Sequence, residues 1–61
     1  MRTWLKDLRI QSGKTMKNVA DSAGISESFY SQIENGIRNA SVSVAKKIAE
    51  ILGFNWQKFF E

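Results

Sequence analysis

Glu27, Ser28, Ser31, Gln32 and Asn35 are the residues of this sequence whose types and spacing suit chemistry with another molecule. At about 100° per residue they occupy an arc of roughly 140° on one side of a helix, and Tyr30 and Ile33 lie opposite. An ordinary amphipathic surface helix would carry Lys and Glu along the outer arc. This one carries short hydroxyls, amides and one carboxylate at its leading end. Such groups suit directed hydrogen bonds to base edges: Gln pairs with adenine, Glu accepts from cytosine, and Ser serves either. A merely solvated polar face is the alternative that polarity alone leaves open. Nucleophilic or acid–base catalysis has less to work with, because the chain has no Cys and no His. It also lacks any Ser- or Lys-centred nucleophile motif.

The residues upstream decide how that face is held. Met16 to Asp21 forms a short helical stretch with Val19 and Ala20 on one face. Gly24 breaks it, since glycine takes a left-handed backbone without steric cost. Ser26 restarts the helix as an N-cap. Ile25 before the cap and Tyr30 after it have the spacing of a hydrophobic staple. Ala20 is small enough for the two helix backbones to approach where they cross. A helix, a glycine turn and a second helix is the helix-turn-helix pattern, and this context favours the reading of bases over plain solvation.

Around this unit, Thr3 to Ser12 reads as a first helix with Leu5 and Leu8 inward, Trp4 at the margin and Ile10 near the surface; Gly13 ends it. Thr15 is the expected N-cap of the next helix. Lys14 and Lys17 flank that N-terminus, whose unpaired amides and partial positive charge make a phosphate seat; two plain surface lysines are the alternative. Asn35-Gly36 is a helix stop, followed by the short loop Ile37 to Ala40, from which Arg38 and Asn39 project. Ser41 caps a helix from Val42 to Leu52. There Val44, Ala45, Ile48, Ala49 and Leu52 follow the rhythm of a core-facing side, and Lys46, Lys47 and Glu50 face away. Gly53 ends it. Phe54 to Glu61 holds four large aromatics, and Asn55 is placed to cap a last helix of about one and a half turns. These aromatics either seal a small core or form a self-association face.

The 61 residues are expected to make one domain, 1–61, near the lower size limit for an unaided core. Without Cys or His there are no disulfides and no zinc sites of the Cys/His kind, and no cofactor is expected. No apolar run or charged leader suggests a membrane span or secretion signal, so a cytoplasmic, nucleoid-associated location is expected. The absence of Pro and the helical spacing of Ala, Lys, Leu and Ile point to an all-α class. Net charge is +3. Arg2, Lys6, Arg9, Lys14 and Lys17 oppose only Asp7 across the first stretch of chain, an asymmetry that suits a surface meeting phosphates.

Nearly the whole chain resembles the phage repressor and Cro-like helix-turn-helix family, also called the xenobiotic-response-element family. The motifs are Leu5-Lys6-Asp7-Leu8-Arg9, Val19-Ala20, Ala23-Gly24-Ile25-Ser26, Tyr30-Ser31-Gln32-Ile33-Glu34-Asn35-Gly36 and Ala45-Lys46-Lys47-Ile48-Ala49-Glu50-Ile51-Leu52-Gly53. The resemblance implies a compact five-helix bundle. It implies base reading by Glu27, Ser28 and Gln32, with Phe29 and Ser31 bordering the reading face. It assigns Asn35, Arg38 and Asn39 to phosphates, and pairs Arg9 with Glu34 as a structural ion pair. Three positions depart from the family pattern: Met16 replaces the usual Gln, Lys14 replaces an apolar residue, and Ala40 replaces Pro. Lys14 or Lys17 then supplies the phosphate contact that Met16 lacks. The implied function is that of a sequence-specific regulator of transcription. It would act on double-stranded DNA, as a repressor by operator occupancy, with a homodimer formed through the C-terminal aromatic segment and no small-molecule ligand. The competing reading is a protein–protein interaction module, such as an antitoxin-like partner, that keeps the fold with weak or no DNA reading.

Overall fold

A computed structural model describes residues 1–61. In chain order it contains α1 (Thr3–Gln11), α2 (Met16–Ala23), α3 (Glu27–Glu34), α4 (Val42–Leu52) and a 3-10 turn over Trp56–Phe60. There is no strand, and no helix is long and apolar enough to cross a membrane.

The helices begin and end where side chains replace missing backbone partners. At α2 the Thr15 hydroxyl accepts from the Asn18 N–H at 3.0 Å, and the Asn18 side chain accepts from the Thr15 N–H at 3.1 Å. This reciprocal capping box satisfies two donors at once. Gly24 then turns left-handed at φ 73°, and the Ile25 N–H returns to the Ala20 carbonyl at 3.0 Å. Any residue with a Cβ would be strained there. Ser26 and Ser41 cap α3 and α4, accepting from the N–H groups of Phe29 and Val44.

Leu5, Val19, Ala20, Ala23, Tyr30, Ile33, Ala40, Ala45, Ile48, Leu52 and Phe59 form the buried core. Every helix contributes to it, which fixes the angle at which α2 presents α3. Ala20 and Ala23 are buried on α2, and the small side chains allow α2 to lie close against both α3 and α4. Leu8 is only half-buried, and Ile10 is exposed.

The expected five-helix bundle is corrected to four α-helices and a 3-10 turn. The last segment is too short to gain much from i→i+4 bonding. Instead, the Asn55 side chain accepts from Gln57 N–H, and the Asn55 carbonyl accepts from Lys58 N–H at 3.0 Å. The three-residue period of such a turn aligns Trp56 with Phe59. Both pack toward the core, Phe59 being buried and Trp56 half-buried. Trp4 meets the rings of Phe54 and Phe59 edge-on at 5.2 and 5.3 Å, joining the first helix to the last turn. These three rings seal the core. Phe60 stays outside at 47% exposure, with its ring 6.0 Å from that of Trp56.

Candidate nucleic-acid interface

The C-terminal end of α3 is held by a bidentate ion pair. Arg9 Nε donates to Glu34 Oε2 at 2.9 Å and Arg9 NH2 donates to Glu34 Oε1 at 3.0 Å. The side chains are only 12% and 4% exposed. The remaining Arg9 nitrogen, NH1, donates to the Lys14 carbonyl at 3.0 Å, so one guanidinium joins α1, the α1–α2 loop and α3. The bond to Glu34 raises the Arg9 pKa, outweighing the desolvation that opposes it. Tyr30 is buried on the same side of α3, and its hydroxyl closes no hydrogen bond. Burial first, and the neighbouring Glu34 carboxylate second, push the phenol well above its ordinary range. Both effects penalise the phenolate.

With that end fixed, the outer arc of α3 faces away from the core. Glu27 and Ser28 are exposed in the first turn, where a carboxylate also complements the helix dipole. Ser31 and Gln32 are half-buried further along, and Asn35 is exposed at the C-cap. The Asn35 amide donates to the Ser31 hydroxyl at 3.2 Å, so these two are partly committed to each other. The Gln32 side chain has no partner within the protein, whereas its carbonyl accepts from both Ile37 and Arg38 N–H groups. Phe29 is half-buried and packs against the core, not along the outer arc.

The cationic surroundings are more selective than the sequence suggests. Lys14 is half-buried, and it forms no ion pair. Lys17 lies 3.4 Å from Asp21, both about two-thirds exposed. Such a pair is worth little in water and is easily exchanged for a phosphate. At the start of α2 the amide hydrogens of Met16 and Lys17 lack protein acceptors, between the two lysines. Met16 packs against the core, so its side chain is a filler. Arg38 is exposed with its guanidinium unpartnered. Asn39 Oδ1 accepts from Arg2 and from the Ala40 N–H, leaving only its NH2 for an outside acceptor.

Arg2 is the residue that sequence reasoning misplaced. The charge asymmetry of the sequence groups it with the phosphate-facing cations, yet its guanidinium turns onto the chain. It donates to the carbonyls of Ile33 and Arg38 and to Asn39 Oδ1, and sits 5.6 Å above the Phe59 ring. No local pattern announces these contacts, which span more than 30 positions. A shallow depression of about 460 Å³ lies at the opposite end of α2, lined by Asp21, Ser22, Ala23, Gly24, Lys47, Glu50 and Ile51. None of the α3 residues lines it.

A helix-turn-helix family model matches residues 5–59. The chain belongs to the helix-turn-helix family. An uncharacterised HTH-type transcriptional regulator of Bacillus subtilis, YqaF, is 52% identical over 61 residues, spanning all of this chain and 80% of the relative. The N-terminal DNA-binding domain of SinR, also from Bacillus subtilis, shares the fold with a TM-score of 0.83. It is 23% identical, and the match covers 97% of this chain and 87% of that one. The α2–turn–α3 unit described above is the helix-turn-helix of this family, with α3 as its second helix.

Two outcomes are expected from the buried end of α3. Glu34→Ala leaves the Arg9 guanidinium unpaired and shielded, at a cost of about 3–5 kcal/mol; urea denaturation checks this. A loss under about 1 kcal/mol would show that the pair does not hold α3. Tyr30 is the chain's single tyrosine, so its phenolate absorbance is unambiguous. Its folded pKa is raised, and an unfolded phenol titrates near about 10. The associated stability is therefore intact below about pH 10 and is lost as pH rises toward the folded value. In an alkaline titration the phenolate band should grow together with loss of helical circular dichroism. Ionisation with the helices intact would refute the burial argument.

Proposed function

We propose that the protein regulates transcription by lying on double-stranded DNA with α3 in the major groove. It is a DNA-binding helix-turn-helix regulator. The observation that carries the groove reading is the outer arc of α3: Glu27, Ser28 and Gln32 share that arc, unpaired within the protein, on a helix whose other side is locked into the core. Gln32 is suited to pair with adenine, Glu27 to accept from cytosine, and Ser28 to serve either. Ser31 borders this row, and Phe29 stands beside it, half-buried against the core. Lys14 and Lys17 beside the free amides of α2, and Asn35, Arg38 and the NH2 of Asn39 beyond α3, take phosphates and set the register. We read the 61 residues as one domain that acts by occupying an operator, as a repressor, in the cytoplasm on the nucleoid. Two copies pairing through the exposed Phe60 and its neighbour Trp56 would place two α3 helices for two half-sites.

The competing reading is a partner-binding module without DNA reading. Its support is Met16, a packing residue where family members usually place a phosphate-bonding Gln, and the exposed Glu27 carboxylate at the leading edge. Titration with a random-sequence duplex at low and moderate salt separates the two. The regulator should bind at low salt and weaken by roughly 0.9 log unit per phosphate contact for each tenfold rise in salt. No retention at either salt would leave the interaction module.

On a site selected from a random DNA pool, Gln32→Ala should cost about 1–3 kcal/mol, with far less effect on nonspecific duplex. Measured by fluorescence anisotropy, an equal loss on both would remove Gln32 from the base readers.

A further inference from the structure

We infer that Arg2 is a positioning residue for DNA: it holds the loop after α3 so that Arg38 meets the phosphate backbone in a fixed place. The inference rests on the DNA-binding reading above and assigns a role to a residue whose guanidinium is spent on the chain itself.

The observation is the contrast between the two parts of Arg38. Its peptide is gripped from both ends. The N–H donates to the Gln32 carbonyl at 3.2 Å, and the carbonyl accepts from Arg2 NH1 at 3.0 Å. Its side chain, in contrast, is exposed and has no partner. A held backbone with an unspent guanidinium is what a phosphate contact of defined register requires, because ordering the loop beforehand removes part of the entropic cost of binding.

Arg2 makes the grip with a geometry that lysine cannot copy. One nitrogen, NH1, bridges the carbonyls of Ile33 and Arg38, and NH2 reaches Asn39 Oδ1 at 2.6 Å. The Ile33 carbonyl belongs to the last turn of α3, where the helix dipole also favours a cation. The Arg2 N–H donates to the Glu34 carbonyl at 2.8 Å, and the Phe59 ring lies under the guanidinium at 5.6 Å. Asn39 completes the brace by accepting from Arg2 and from the Ala40 N–H at the entry to α4. The loop is thus tied to the end of α3 and to the final turn through one planar cation. An ammonium has the charge without the fork.

The test uses Arg2→Lys, which keeps the charge, and Arg38→Ala at an exposed position that leaves the fold unaffected. Binding to a random-sequence duplex is followed across salt concentrations, well below the melting temperature, with circular dichroism as the check on folding. Arg38→Ala should lower the salt slope by about 0.9, the share of one phosphate. Arg2→Lys should weaken all sequences alike by about three- to tenfold and lower the slope similarly. The decisive readout is the double variant. If Arg2 acts through Arg38, the second substitution adds little to the first; a merely structural Arg2 gives additive losses at unchanged slope. Amide exchange at Ile37 and Arg38 should also quicken in Arg2→Lys without DNA. Additive losses, wild-type binding by Arg2→Lys, or an unchanged slope in Arg38→Ala each overturn the positioning role. If the wild-type chain retains no duplex, the DNA reading itself falls, and the exchange measurement still reports whether Arg2 orders the loop.

Discussion

A carboxylate buried within a core this small must be neutralised by a partner that can reach it, and Glu34 sets that constraint. At 4% exposure its charge cannot be left to water. Arg9 answers with two parallel hydrogen bonds, and this ties the pitch of α3 to the first helix. The net gain over a hydrophobic pair at the same place is small, because desolvating both charges offsets most of their attraction. What the pair supplies is geometry. A fork-to-fork contact tolerates little rotation, so α3 is held at one angle about its own axis. The direction in which Glu27, Ser28 and Gln32 face is a consequence of that rotation.

The local rules were legible in the sequence. Thr15, Ser26 and Ser41 cap the helices they were expected to cap, and Gly24 and Gly53 take the left-handed turns that end α2 and α4. These signals act over three or four residues and need no knowledge of the fold. The core face of α4 followed from periodicity in the same way, with Ala45, Ile48, Ala49 and Leu52 buried. What local rules do not reach is long-range or marginal. Arg2 reads as one more cation among several until the end of α3 lies next to it. The final segment reads as a helix by its cap, but too few residues follow Asn55 to favour α over 3-10 geometry. Asn39 looks like a loop polar group free to meet DNA, while its oxygen already serves two donors.

Charge is distributed so that the two arginines of the N-terminal stretch are bonded internally, whereas most of the lysines are exposed. Arginine's planar fork suits shielded, multiply bonded sites, whereas lysine's compact ammonium remains hydrated. Arg2 and Arg9 bind backbone carbonyls and a carboxylate; Lys17 keeps only a loose surface pair, and Lys46 and Lys58 lie over the Trp56 and Trp4 rings. Net charge therefore overstates how many cations are available to a polyanion. Arg38 is the arginine left over from this internal use, and it lies at the mouth of the loop beyond α3.

The contact of Trp4 and Arg2 with Phe59 joins the two ends of the described chain. The two termini are therefore coupled in stability. Loss of the last turn takes the aromatic floor from under the Arg2 guanidinium, and loss of the first residues takes Trp4 from the Phe54 and Phe59 rings. Fraying, which ordinarily stays local to one chain end, here reaches both ends together and through Arg2 the loop beyond α3.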